Sequence, residues 1–120
     1  VLILQGKLDE LGPQLSRLLE QDRENLAGNL MRLNRMLARI QDRVAVRRML
    51  ARVLAPYADV PEAHYALATA AFHAGDQASA LAEIRRAAAL RSDWAEAVLF
   101  EAQLLARDAL PEALALLERF

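Results

Sequence analysis

The chain repeats itself at a spacing of 34 residues, and this self-similarity restricts its folds more than any other feature. A displacement of 34 aligns Leu30 with His64 and Val98, Leu33 with Leu67, Asn34 with Ala68 and Ala102, and Leu37 with Ala71 and Leu105. A second set aligns Val46 with Ala80, Leu50 with Ile84, and Val53 with Ala87. Two periods apart, Gly6-Lys7-Leu8-Asp9-Glu10-Leu11 has the same pattern as Gly75-Asp76-Gln77-Ala78-Ser79-Ala80. A unit this short cannot bury its apolar face alone, so its stability must come from stacking on its neighbours.

Within the repeat, apolar residues fall at helix spacing. Leu8, Leu11, Leu15, Leu18 and Leu19 make one stripe, and Leu26, Leu30, Leu33, Leu37 and Ile40 a second. Val46, Met49, Leu50, Val53 and Leu54 make a third, and four more segments cover 63–72, 78–90, 94–105 and 110–120. Breaks are expected at Gly6-Lys7, at 22–24, at Gln41-Asp42, at 56–61, at Gly75-Asp76, at Ser92-Asp93 and at 108–111. Several of these offer an Asp or Ser as N-cap, and Pro61 and Pro111 suit a first helical turn. Pro13 fits no helix interior. Either a helix starts there, with Gly12 before it, or the first turn is distorted. Short links between amphipathic helices force antiparallel neighbours.

Composition agrees with an all-α chain. Apolar residues reach 55%, drawn mainly from Ala and Leu, while aromatics stay at 5%, so helix formers dominate. At 120 residues the chain fits one domain. The expected architecture is about seven helices in antiparallel pairs.

Residues 61–94 resemble a tetratricopeptide repeat. His64-x-x-Leu67-Ala68-x-x-Ala71 stands where that family has Trp-x-x-Leu-Gly-x-x-Tyr, and Ala80-x-x-x-Ile84 stands for Ala-x-x-x-Phe, followed by Ala87 and Leu90. Ala68 and Ala80 are the small residues that let paired helices approach. The departures are His64 for Trp, Ala71 for Tyr and Ser92 for Pro. Residues 26–60 read as a divergent repeat, with Asn34 at a small-residue position. Residues 95–120 read as an incomplete repeat with Ala113 at the small site, and 1–25 as a partial one.

The resemblance implies that the helix pairs stack as a right-handed α-solenoid. It also implies a function in binding another protein along a groove lined by the first helix of each pair. Carried over by position, that groove would hold Met31, Arg32, Arg35 and Arg39. From the next repeat it would hold Glu62, Tyr65, Thr69, Phe72 and His73, and from the last Glu96, Leu99, Phe100, Gln103 and Arg107. Arg32, Arg35 and Arg39 share one helix face and can pair bidentately with carboxylates. An acidic or C-terminal segment of a partner protein is the expected ligand. The plainer alternative is a solvated face whose arginines pair with local acids. Some family members grip chaperone tails with Lys and Asn at the fifth and ninth groove positions. Here those positions are Met31/Arg35, Tyr65/Thr69 and Leu99/Gln103, so that clamp is missing.

Other chemistry finds little footing. His64 and His73 lie nine apart without metal-ligand spacing, so His64 reads as a packing residue and His73 as an exposed one. The glycines are isolated, Ser16 and Ser79 have no supporting His, and Trp94 reads as a core anchor. No enzyme, cofactor or metal is expected. Residues 1–60 carry ten Lys/Arg against seven Asp/Glu, and 61–120 five against nine. The basic stretch from Arg32 to Arg52 raises nucleic acid as a partner, but a pI near 6.1 and few aromatics argue against it. No apolar run approaches the roughly 18 residues a membrane span needs. Val1-Leu2-Ile3-Leu4 is too short for a signal core. The Ala/Leu/Arg bias points to a GC-rich bacterial source.

A weaker resemblance is to the repeat arrays of proteobacterial outer-membrane lipoprotein adaptors. The sequence leaves the compartment open between the bacterial cytoplasm and a periplasmic, outer-membrane-tethered location. The chain starts without Met and ends within a periodic segment, so it reads as a stretch of a longer array. The second reading is a regulatory or substrate-recruiting helical domain of a larger enzyme. Leu110, Leu114, Leu117 and Phe120 would leave an apolar face uncovered, through which self-association is expected.

Overall fold

Two aspartates start the helices that follow them. Asp42 accepts a hydrogen bond from Ala45 N at 3.1 Å, and Asp76 accepts one from Ser79 N at 3.1 Å. Each satisfies a backbone N–H that the first helical turn leaves without a partner. Gly75, with φ at +85°, supplies the left-handed residue before the second of these caps. It lets Asp76 N–H reach back to the Ala71 carbonyl at 2.9 Å, which closes the preceding helix.

The computed structural model describes the backbone of residues 2–120 and the side chains of residues 10–120. Seven α-helices follow one another among the described residues, with no strand: α1 (Leu2–Gln21), α2 (Leu26–Leu37), α3 (Arg43–Val53), α4 (Pro61–His73), α5 (Gln77–Leu90), α6 (Ala95–Asp108) and α7 (Leu110–Arg119). Short 3₁₀ turns at Arg23–Asn25 and Ala55–Tyr57 fill two connections. The starts of α2, α4 and α6 fall at residues 26, 61 and 95, and those of α3, α5 and α7 at 43, 77 and 110. The helix starts therefore recur at close to the spacing seen in the sequence.

One expected break is missing. α1 runs unbroken through Gly6-Lys7 and continues past Pro13. An interior glycine costs only about 1 kcal/mol, which a continuing hydrogen-bond ladder offsets. A proline costs about 3 kcal/mol and removes one bond of that ladder. The compensation visible here is packing. Leu11, Leu15 and Leu19 lie on the core formed with α2, α3 and α4. Gly12 is buried where α1 meets α3, facing Met49 and Val53. Leu18 departs from the expected stripe and is exposed, while the side chain of Leu8 lies outside the described residues.

α4 is the central element, packed against α2, α3 and α5. The first core joins α1, α2, α3 and α4 through Leu19, Leu30, Leu33, Leu37, Leu50 and Val53. Burying each such side chain is worth about 1.5–3 kcal/mol. The second core joins α4, α5 and α6 and is built from small residues, with Ala68, Ala71, Ala80 and Ala87 around Ile84, Trp94 and Leu104. Of the residues that carried the family resemblance, Ala68, Ala80, Ile84 and Ala87 are fully buried, as is Ala71, one of the departures, whereas Leu67 is half-buried and Leu90 is 47% exposed.

Tyr57 locks the α3–α4 connection. Its ring is buried and its hydroxyl donates to Glu20 Oε1 at 2.6 Å. Burial, then the hydrogen bond to Glu20 and that carboxylate's charge, push the phenol up to about 12. No helix among the described residues is long and apolar enough to cross a membrane.

Candidate partner-binding face

Met31 of α2, Tyr65 and Phe72 of α4, and Phe100 of α6 pack against the second core from one side. The aromatic rings form a continuous row. Trp94 meets Tyr65 at 5.0 Å between centroids, Tyr65 meets Phe100 edge-on at 5.6 Å, and Phe100 meets Phe72 edge-on at 5.8 Å. The imidazole of His73 extends the row, 5.7 Å from Phe72. Edge-to-face pairs align a positive ring edge with a negative ring face and add about 0.5–1.5 kcal/mol each. These rings hold α6 to α4, so they are half-buried packing groups with one edge outward rather than free anchors. Burial, and secondarily Glu96, raises the Tyr65 phenol above its ordinary value.

A polar seam joins α2 to α4 beside this row. Asn34 is 9% exposed, and its Nδ2 donates to Thr69 Oγ1 at 3.3 Å. The Thr69 hydroxyl donates in turn to the Tyr65 carbonyl at 3.0 Å. Asn34 stands where the next repeat has Ala68, and this partner explains how an amide is accommodated there. At the far end of the seam, Arg43 caps α2. Its guanidinium donates to the Leu37 carbonyl at 3.2 Å and to the Ala38 carbonyl. Partial burial, and secondarily Arg43, lower the His73 pKa below the ordinary imidazole value.

Arg32 and Arg35 are exposed on α2, but the helix ends at Leu37, so Arg39, expected on the same helix face, is exposed in the turn that follows. Among the described residues none of the three holds an ion pair, although Asp22 and Glu24 border the same pocket as Arg32. Arg48, Arg52 and Arg107 are likewise exposed without one, while other arginines are matched. Arg47 meets Asp76 at 2.8 Å, Arg85 meets Glu101 at 3.3 Å, Arg86 meets Glu83 at 3.0 Å, and Arg91 meets Glu62 at 3.1 Å.

Two groove assignments change with the structure in view. Glu62, expected to face a partner, is turned inward and is 6% exposed, held by Arg91, which also stacks 5.1 Å over the Trp94 ring. Met31, Tyr65, Thr69, Phe72 and Phe100 are only partly accessible, because each also packs across a helix boundary. His73, Leu99, Gln103 and Arg107 are exposed, as is Glu96. Leu110, Leu114, Leu117 and Phe120 of the α7 segment are exposed, at 54, 53, 43 and 58%. His64 and Trp94 are buried at 7% each, as packing residues should be.

A second concavity escaped sequence reasoning. A cleft of about 290 Å³ opens between α3 and α5, bordered by Arg47, Leu54, Tyr57, Glu83 and Arg86, with His64 beneath. Its residues come from three separate segments, so no local spacing could announce it.

No family model, curated protein or solved structure matches the chain.

Proposed function

We propose that this chain is a non-enzymatic protein-interaction module built as a tetratricopeptide-type array, and that it holds an acidic segment of a partner protein along the face of α2, α4 and α6. The observation that carries this reading is a group of exposed arginines at α2. Arg32 and Arg35 lie one turn apart on the helix and Arg39 follows in the turn after it, and among the described residues none of the three holds an ion pair. A carboxylate-bearing segment lying along α2 meets all three, and planar guanidinium groups suit paired carboxylate oxygens.

Three further features support the array reading. Equivalent helices recur at the repeat spacing. The small-residue positions are buried. The shortest dimension of the molecule, 19 Å, is about two helix diameters. The accessible edges of Tyr65 and Phe72, with exposed Leu99 beyond, give apolar contact next to the basic stripe.

A fluorescent peptide of alternating Glu and Leu, titrated with the full chain and followed by anisotropy, tests the proposal. Binding should weaken about tenfold or more in the Arg32→Glu/Arg35→Glu variant, with the helical circular dichroism unchanged. Equal binding by variant and wild type would sink the reading. So would tighter, steeply salt-dependent binding of a duplex RNA, which would indicate a nucleic-acid surface.

A further inference from the structure

His64 is buried at the start of α4, under the cleft between α3 and α5. Both of its ring nitrogens meet oxygen acceptors. Nε2 lies 2.6 Å from the Ala58 carbonyl, in the α3–α4 connection, and Nδ1 lies 2.8 Å from Glu83 Oε2 on α5. A carbonyl oxygen has no proton to give, so Nε2 must carry one. A neutral ring then presents a bare lone pair at Nδ1, pointed at a carboxylate oxygen. That contact is attractive only when a second proton lies between Nδ1 and Oε2, on one atom or the other.

We propose that His64 and Glu83 share this proton as a latch, which ties α5 and the α3–α4 connection to α4, and that its loss as pH rises releases both and opens the cleft above. The groups that face the pair come from α3, α5 and the α3–α4 connection. Arg86, on α5, contacts the other oxygen of Glu83 at 3.0 Å, and Arg47, on α3, is paired with Asp76 at 2.8 Å. Both guanidinium groups stay charged throughout. Asp76 is held down to about 2 by the Ser79 backbone and hydroxyl and by Arg47, so it stays ionised. Tyr57, on the connection itself, stays neutral until about 12.

Stability contributed by the shared proton is present at low pH, while the proton is held, and is lost as pH rises and the proton leaves. The latch does not depend on what Arg32, Arg35 and Arg39 bind.

The test uses His73→Gln, which leaves His64 as the sole imidazole of a chain with two histidines. Nitrogen-detected NMR between about pH 5.5 and 8.5 spans the ordinary imidazole range. At the acid end, Nδ1 should report a bound or shared proton, followed by a single step. Across that step, exchange protection of the backbone amides of Val60 and of the first half of α5, corrected for intrinsic exchange at each pH, should fall about tenfold. A bare Nδ1 at the acid end, or protection that ignores the step, overturns the proposal. Glu83→Gln provides a second reading. A glutamine amide can donate to neutral Nδ1 without any added proton, so the latch should stay closed and the pH dependence vanish. Retained pH dependence in that variant also overturns it.

Discussion

Helices α2 and α3 and helices α4 and α5 fill matching stretches of the repeat, yet they pack in different ways. α4 and α5 approach closely along their length, whereas the backbones of α2 and α3 hardly come within 8 Å of each other. The matched residues explain the difference. The later pair has Ala68, Ala71, Ala80 and Ala87 where the earlier has Asn34, Leu37, Val46 and Val53, and all eight are buried. Small residues on both sides let two helices touch, while branched side chains and an amide hold them apart. The wider pair gains its stability from a larger shared core with α1 and α4. One repeat length thus supports two packing solutions, and the alanine seam is the one that carries the family pattern.

The same pairs differ in charge. Arg85 and Arg86 of α5, and Arg91 beside it, hold Glu101, Glu83 and Glu62, so these acids of the second half are occupied by its own arginines. α2 has exposed arginines that hold no ion pair among the described residues, although Asp22 and Glu24 border the same pocket as Arg32. Proteins seldom concentrate single-sign charge on a helix face without cost, because like charges at helix spacing repel. A ligand of opposite sign offsets that cost, and this is why the earlier, looser pair is assigned the binding role.

Exchanging side-chain size at one matched position should break the packing contrast. Ala68→Leu forces extra carbons into the closed seam and should destabilise the chain by about 1–3 kcal/mol. Asn34→Leu, 34 residues earlier, enters the wider gap and leaves the Thr69 hydroxyl bonded to Tyr65, so its effect should stay within about 1 kcal/mol. Urea unfolding of the two variants measures both. Equal costs would show that the two pairs are alike and that seam size does not set their geometry.

A smaller effect concerns the ion pair that joins the two halves. Arg47 of α3 reaches Asp76 at the start of α5, and Ser79, through its backbone and then its hydroxyl, and Arg47 lower the Asp76 carboxyl from 3.8 to about 2. A lowered carboxylate pKa contributes stability above the unfolded value of 3.8 and loses it as pH falls through about 2. The melting temperature should therefore show a modest decline over that acid window. Asp76→Asn keeps an N-cap oxygen but no charge, so its decline should be shallower. Identical acid profiles would mean that Arg47 and Asp76 do not bridge the halves in solution.

The helix content and most of the breaks were readable because spacing and caps are local. Gly75-Asp76 and Gln41-Asp42 announce helix starts with residues that act within a turn. Gly6-Lys7 misled because an interior glycine and a terminating glycine are the same letter, and only neighbouring packing separates them. Glu62 looked like a groove residue by register, but Arg91 lies too far along the chain for its inward turn to be foreseen. Asn34 posed a similar problem, since its partner Thr69 belongs to another helix. The arginine stripe was visible from its own spacing. That it lacks acidic partners was not, because pairing is settled by which helices meet.

The most direct test of the central claim is NMR mapping on the full chain with the acidic peptide added. The guanidinium Nε–H signals of Arg32, Arg35 and Arg39 and the backbone amides around Tyr65, Thr69 and His73 should shift together and saturate at one affinity. The amides around Arg47, Glu83 and Arg86 should stay still. Shifts concentrated at the α3–α5 cleft, or absent from the α2 arginines, would contradict the assignment of this face to an acidic partner.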